Sequence, residues 1–151
     1  MIRKYINKDR HQVIELLRQN TPKYFASSEE TDFENYLKNE VEDYFVYEQH
    51  SQIIGAGGIN YFPTKKTARI SWDMIHPNYH GKGIGKALTL YRINHLLENQ
   101  NIEFIVVRTT QLAFQFYEKL GFKLIRIEKD FWAENFDLYE MKMPNKVDIS
   151  E

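Results

Sequence analysis

The sequence predicts an α+β fold in which one mixed, mostly antiparallel sheet is flanked by helices. Two observations lead to this class. Segments with strand-like alternation are interspersed with segments of helical periodicity. Some predicted strands follow one another through short polar turns, whereas others are separated by helices. The order of elements is β-α-α-β-β-β-α-β-α-β-β, and a length of 151 residues suits a single domain over 1–151.

In the first half of the chain, two segments have apolar residues at helical spacing and three read as strands. A Ser-Ser-Glu-Glu segment beginning at Ser27 supplies the residue types that start a helix. Gly55, Gly57 and Gly58 lie within one predicted strand and indicate a bulge or the close approach of another group. The predicted elements are a strand over 2–6, helices over 9–19 and 27–39, and strands over 44–48 and 52–61.

In the second half, the helix that follows a glycine-rich segment has apolar residues around most of its surface, including Leu90 and Tyr91. It should therefore be largely buried. Gly121 stands directly after a later helix, and Phe122 is positioned to pack back against it. The predicted elements are strands over 68–76, 104–107, 122–128 and 137–143 and helices over 84–98 and 111–120, followed by a frayed tail over 144–151.

The composition narrows the possible functions. The absence of cysteine excludes disulfides, cysteine–metal sites and a thiol nucleophile. There is no signal peptide and no apolar segment that could span a membrane, so we expect a cytoplasmic protein without a membrane partner. The net charge of −1 argues against a nucleic-acid partner. The charge is unevenly distributed along the chain. The acidic residues 21–45 favour attraction of a cation, and the basic residues 65–92 favour attraction of an anion.

The glycine-rich segment His80–Lys86 follows a predicted strand and opens a helix. Free backbone N–H groups, the helix dipole and two lysines make such a segment suitable for a pyrophosphate. It is not a P-loop, since His80 and Ala87 stand where Gly and Ser or Thr are required. It is not a dinucleotide fingerprint either, because Lys86 stands at the position of the third glycine.

Two motifs resemble the GNAT N-acetyltransferase superfamily. The segment Ile75–Leu88, IHPNYHGKGIGKAL, resembles its acetyl-CoA-binding motif V-x-P-x-x-R/Q-G-x-G-x-G/A. The segment Ala113–Phe122, AFQFYEKLGF, resembles its second motif A-x-x-F-Y-E-K-x-G-F at the expected distance along the chain. His80 replaces the usual Arg or Gln, and Thr110 stands where Asn often begins the second motif. The resemblance covers residues 71–143 and implies the GNAT-like acyl-CoA N-acyltransferase fold.

The resemblance implies that acetyl-CoA is the co-substrate and that a primary amine attacks its thioester directly. No metal is expected, because Pro77 excludes a regular helix that would align His76 with His80, and no obvious third ligand follows. Tyr117 occupies the catalytic tyrosine position of the family, as the proton donor to the leaving thiolate; packing in the core is the alternative. Asp73, on the strand before the loop, is the candidate general base, the alternatives being a structural ion pair or a water relay to a more distant carboxylate. Backbone N–H groups near Met74 and Ile75 would meet the oxyanion.

The candidate binding residues follow the same motifs. A small-molecule amine is the favoured acceptor, in a pocket with acidic and aromatic walls that include Tyr24, Glu29 and Trp132. The alternatives are a protein N-terminus or lysine, and a sensor that binds acyl-CoA without turnover. An exposed strand edge favours a homodimer. For acetyl-CoA the candidates are Met74, Ile75, His76, His80, Gly81, Lys82, Gly83, Ile84, Gly85, Lys86, Thr110, Phe114 and Tyr117.

Overall fold

The structure, a computed structural model, describes residues 1–146. These residues form one seven-stranded sheet with the strand order β1-β2-β3-β4-β5-β7-β6. Every neighbouring pair is antiparallel except β4 and β5, which confirms the predicted mixed, mostly antiparallel α+β fold. The elements are β1 (Ile2–Lys4), α1 (Arg10–Gln19), α2 (Glu29–Asn35), β2 (Asp43–Gln49), β3 (Gln52–Phe62), β4 (Thr67–Ile75), α3 (Ile84–Leu97), β5 (Phe104–Thr109), α4 (Phe114–Lys119), β6 (Lys123–Ala133) and β7 (Phe136–Pro144).

Helices cover both faces of the sheet, so the apolar core has two parts. The first core lies against α3 and α4, where Ile70, Leu88 and Ile105 are buried. The second core lies against α1 and α2, where Leu16 and Phe33 are buried. Apolar residues on alternate faces of the central strands therefore exclude water from both sides, which stabilises the sheet at its middle.

A bulge in β4 changes which side chains face which core. Gly58 pairs with Ser71 and Ala56 pairs with Met74, so β4 has one residue more than β3 in this stretch. Trp72 takes a left-handed conformation there, with φ of 53°. Simple alternation along β4 predicts that Asp73 shares a face with Ser71 and Ile75. The prediction is wrong for Ser71, because the extra residue turns Asp73 to the face of Ile75, towards α3 and α4.

The parallel ladder between β4 and β5 is short. It ends at the pair of Ile70 with Val107, although β4 continues to Ile75 and β5 continues to Thr109. Beyond that pair, the sides of the two strands that face each other have no ladder partner within residues 1–146. Separated strand ends of this kind leave a gap in the middle of a sheet, and a cavity lies at this gap.

The predicted helix over 27–39 is two different structures. Regular α-helix covers Glu29–Asn35, and a π-helical turn covers Tyr36–Glu40. The expected serine cap does not form. Instead the Glu29 carboxylate accepts a 2.8 Å hydrogen bond from the Ala26 backbone N–H, because the side chain folds back over the start of its own helix. π-helical turns occur often at functional sites, and this one carries Tyr36 to the cavity.

The start of α4 and the last hairpin also differ from the prediction. The helix begins at Phe114 instead of residue 111, because the Gln111 side chain binds the β6–β7 turn. It donates to Asn135 O at 2.7 Å and accepts from the Asp137 N–H at 3.0 Å. Strand β6 continues to Ala133, so the segment expected to be a loop is the end of a long hairpin. The long hairpin brings aromatic side chains back over the end of β5.

Two further expectations are corrected on the surface. Leu90 and Tyr91 are exposed, so α3 is buried on one side and open to solvent on the other. The predicted frayed tail lies outside the described residues from position 147. Asn145 is anchored, since its Nδ2 donates to Leu96 O at 2.7 Å and to Ile102 O at 3.0 Å. No helix within residues 1–146 is long and apolar enough to cross a membrane.

Candidate active site

A cavity of about 800 Å³ occupies the gap between β4 and β5. One end reaches the glycine-rich loop before α3, and the other reaches α2 and the β6–β7 hairpin. Its volume lies within the range of small-molecule sites, roughly 300–1,000 Å³. A single chamber therefore connects the predicted cofactor loop with the predicted acceptor walls.

The glycine-rich loop is open at the positions where its backbone bends. Gly81 and Gly83 have φ angles of 77° and 84°, and a Cβ atom at either position would meet nothing within 4 Å. Gly83 immediately precedes α3, so the first N–H groups of that helix have no partner inside it. A 2.8 Å hydrogen bond between His80 Nε2 and Ile75 O connects the loop to the end of β4. This combination of open backbone and positive helix end suits phosphate oxygens.

Most of the predicted acetyl-CoA residues line this cavity. His76 and Lys82 do not, and neither does Phe114. The His76 ring accepts from the Asn78 N–H at 3.1 Å, and Phe114 packs against Tyr139, so their role in binding stays a prediction. Phe116 lines the cavity instead, next to Gly85. The lining residues are Met74, Ile75, His80, Gly81, Gly83, Ile84, Gly85, Lys86, Thr110 and Tyr117.

The two predicted catalytic side chains are hydrogen-bonded to each other. Tyr117 Oη donates to Asp73 Oδ2 at 2.5 Å. The same carboxylate forms a bidentate ion pair with Arg92, with distances of 2.6 Å from Nη1 to Oδ1 and 2.8 Å from Nη2 to Oδ2. Arg92 is almost completely buried, at 1% exposure. The structural ion pair, which was one of the alternatives for Asp73, is therefore present. It supplies the counter-charge that a buried guanidinium requires.

Two glycines of β3 make room for this arrangement. A Cβ atom at Gly57 would lie 2.7 Å from Arg92 Nη1 and 2.9 Å from Asp73 Oδ1. A Cβ atom at Gly58 would lie 2.7 Å from Tyr36 Oη. The close approach of another group, which these glycines indicate, is therefore confirmed, and the bulge beside them has its extra residue on β4. Arg92 itself could not be predicted, because one arginine within an apolar helix has no partner nearby in the sequence.

The Tyr117 hydroxyl is kept in its protonated form. Burial raises its pKa well above the ordinary value of about 10, and the negative charge of Asp73 raises it further. The phenol therefore carries its proton at neutral pH, and in the structure its O–H donates a hydrogen bond to Asp73. It is also a weaker acid than a free tyrosine.

The three predicted acceptor residues all line the cavity, Glu29 and Trp132 at the end near α2 and the β6–β7 hairpin and Tyr24 beside the glycine-rich loop. Tyr24 packs edge-to-face on His80, with ring centroids 5.2 Å apart. Trp132 Nε1 donates to Thr109 O at 3.2 Å, which ties the hairpin to β5. Burial raises the pKa of the Glu29 carboxyl group. Glu30, in the same acidic segment, pairs instead with Arg18 at 2.8 Å outside the cavity.

Several polar cavity residues were missed by the sequence analysis. Tyr36 Oη is buried without a hydrogen-bond partner in residues 1–146. Glu42 is held by Asn60 Nδ2 and the Tyr61 N–H, both at 3.1 Å. No motif marks these positions, because folding brings them together from separate strands and turns. The missed polar residues include Tyr36, Glu40, Glu42, Arg92 and Arg108, whereas Arg69 belongs to the basic stretch that the sequence associates with an anion.

The model of the acetyltransferase (GNAT) domain family matches residues 11–144. The chain belongs to the GNAT acetyltransferase family. It is therefore an acyltransferase, and the class of reaction is N-acetylation. This GNAT domain is 28% identical over 142 residues to an N-alpha-acetyltransferase of Sulfurisphaera tokodaii, with 85% of this chain and 80% of the relative covered.

Solved structures agree with the fold of this GNAT domain. The ribosomal-protein-S18-alanine N-acetyltransferase of Escherichia coli superposes with a TM-score of 0.80 at 18% identity, covering 100% of this chain and 97% of the other. An aminoglycoside 6'-N-acetyltransferase solved with coenzyme A superposes with a TM-score of 0.76 at 15% identity, covering 97% of this chain and 98% of the other. The similar folds thus include proteins named for a protein acceptor and for a small-molecule acceptor.

Proposed function

We propose that the protein transfers the acetyl group of acetyl-CoA to a primary amine of a small molecule by direct attack in a ternary complex. The observation that carries the proposal is the single cavity that joins the open glycine loop to the Tyr117–Asp73 pair. The loop offers unpartnered N–H groups to the pyrophosphate, and Lys86 adds a positive charge to the lining. The gap between β4 and β5 accommodates the arm that carries the thioester.

The hydrogen bond between Tyr117 and Asp73 supports a proton transfer through both residues. As the amine nitrogen forms its bond to the acetyl carbon, Asp73 accepts the proton that the amine loses. The carbon–sulfur bond breaks, and Tyr117 gives its proton to the leaving thiolate. Asp73 then returns its proton to the Tyr117 phenolate across the 2.5 Å contact. Throughout the transfer the Arg92 guanidinium remains the ion-pair partner of the Asp73 carboxyl group.

The first experiment is a calorimetric titration of the protein with acetyl-CoA, with ATP and NAD as controls. We expect micromolar affinity for acetyl-CoA alone, since only this ligand combines a pyrophosphate with an arm that fits the gap. Binding then justifies a screen of amines in which thiol release is followed. A protein that binds neither acetyl-CoA nor coenzyme A contradicts the proposal.

Replacing Tyr117 with Phe should lower kcat at least about tenfold while changing the affinity for acetyl-CoA less than about twofold. The variant keeps the buried ring and removes only the hydroxyl that would protonate the thiolate. The exposed Tyr91 serves as a control, because Tyr91→Phe removes a hydroxyl outside the cavity and should leave kcat unchanged. An unchanged kcat in Tyr117→Phe removes Tyr117 as the proton donor.

A protein N-terminus is the second candidate acceptor. The relative from Sulfurisphaera tokodaii, named an N-alpha-acetyltransferase, favours it. Short peptides with a free N-terminus therefore belong in the amine screen, beside small amines. Acetyl transfer to peptides, with none to any small amine, would identify a protein N-terminus as the acceptor. Binding of acetyl-CoA with no transfer to either class of amine would indicate a sensor that binds acyl-CoA without turnover.

A further inference from the structure

Two arginines on the central strands line the acceptor end of the cavity. Arg69 on β4 pairs with Val106 on β5, and Arg108 follows Val106 by two positions on the same face of β5. Ala68 and Val107, which point the other way, are buried in the first core against α3. Both arginine side chains therefore lie on the side of the sheet that carries α1 and α2, away from α3.

Neither guanidinium has a carboxylate partner within 4.0 Å in the part of the chain that the structure describes. Glu140 lies opposite Arg108 on β7, but its carboxylate accepts a 3.3 Å hydrogen bond from Arg126 Nε instead. The Nε atom of Arg108 is buried and has no hydrogen-bond partner within residues 1–146. Buried donors are nearly always satisfied, so this atom indicates a missing acceptor.

Aromatic rings hold both guanidinium groups. The Arg69 guanidinium carbon lies 4.6 Å from the centroid of the Phe62 ring. The Arg108 guanidinium carbon lies 4.8 Å from the Phe131 centroid and 5.3 Å from the Trp132 centroid. A guanidinium stacked on a ring leaves its N–H edges available, and these edges match two oxygens of a carboxylate or phosphate.

The two positive charges also affect each other. Burial lowers the pKa of Arg69, and the nearby charge of Arg108 lowers it further, whereas Glu140, Glu40 and Tyr36 raise it. Arginine nevertheless stays charged at neutral pH. Glu40 and Glu42 also line the cavity, but within residues 1–146 no carboxylate lies within 4.0 Å of either guanidinium. An anion that binds between the two neighbouring cations would relieve their repulsion.

We infer that Arg69 and Arg108 form an anion-binding subsite for the acceptor. This subsite selects an acceptor that carries a carboxylate or phosphate together with its primary amine. The amine end would lie at Asp73 and Tyr117, which face α3 and α4, and the anionic end at the two arginines on the other face of the sheet. The gap between β4 and β5 joins the two positions within one cavity. This inference rests on the proposed acetyl transfer and names the class of amine that the transfer uses.

The test compares amines that differ only in an anionic group. β-Alanine is matched with its amide, and phosphoethanolamine with ethanolamine. We expect the preferred anionic amine to have a kcat/KM at least about tenfold above that of its neutral partner, because charge-assisted hydrogen bonds bind it. Preference within the first pair identifies a carboxylate, and preference within the second pair identifies a phosphate.

The variants Arg69→Gln and Arg108→Gln should each raise KM for the anionic amine about tenfold or more, with KM for its neutral partner unchanged. The KM for acetyl-CoA should also stay unchanged. Lys142→Gln is the matched control, because Lys142 also lies over a ring, 3.8 Å from the Phe104 centroid, but outside the cavity. A merely structural role for the arginines would affect both amines equally.

A second measurement does not depend on catalysis. Acetate and inorganic phosphate are titrated calorimetrically into protein saturated with coenzyme A, which covers the glycine loop, and binding should disappear in Arg108→Gln. The anion-binding subsite is overturned if anionic and neutral amines have equal kcat/KM, or if the variants raise KM equally for both. Either result leaves the proposed acetyl transfer intact. Absence of transfer to every amine overturns the proposed function, and the anion titration then decides the subsite alone.

Discussion

Asp73→Asn should lower the free energy of unfolding by about 3–5 kcal/mol, because it removes the counter-charge of a buried arginine. The remaining hydrogen bonds of the Arg92 guanidinium go to Gly58 O at 3.0 Å, Leu88 O at 3.1 Å and Thr89 Oγ1 at 3.4 Å. These neutral acceptors cannot neutralise its charge. Denaturant unfolding monitored by circular dichroism measures the loss, and acetyl transfer should fall in the same variant.

The matched control is an exposed ion pair. Glu103→Gln breaks the 3.4 Å contact with Lys66 on the surface and should cost less than about 1 kcal/mol. The double variant Asp73→Asn with Arg92→Met should lose less stability than the sum of the two single variants, since neither charge is then left unpaired. A loss below 1 kcal/mol in Asp73→Asn alone would contradict a dominant structural role for the ion pair.

Gly83→Glu should weaken acetyl-CoA binding at least about 100-fold, which corresponds to about 2.7 kcal/mol. The residue precedes α3 with φ of 84°, a conformation that an L-residue adopts only with strain. The larger effect is the carboxylate, which would lie where the pyrophosphate needs positive potential. Calorimetric titration with acetyl-CoA measures the change.

Gly83→Ala separates the two causes. A Cβ atom at this position meets nothing within 4 Å, so alanine brings the backbone strain without a clash or a charge. We expect its loss of affinity to stay below about tenfold. Tight binding by Gly83→Glu would refute the assignment of the loop to the pyrophosphate, and equal losses in both variants would attribute the effect to strain.

The order of elements was predictable because the relevant signals are local. Hydrophobic periodicity marked β3, α3 and the strand over Phe104–Thr109, and the turn residues marked their ends. The boundary errors occurred where a distant partner decides the geometry. Gln111 leaves its predicted helix because its amide binds the turn between β6 and β7. Periodicity carries no information about such a contact.

The sequence by itself determined the α+β fold, the glycine loop before α3 and the positions of Tyr117 and Asp73, since each depends on a short stretch of residues. Only the tertiary structure decided what surrounds them. The bulge at Trp72 turns Asp73 towards Arg92, and the separation of β4 and β5 opens the cavity between them. Arg69 and Arg108 become neighbours in the same way. These contacts join residues far apart in the chain, and their geometry follows from strand register and burial, which no local pattern encodes.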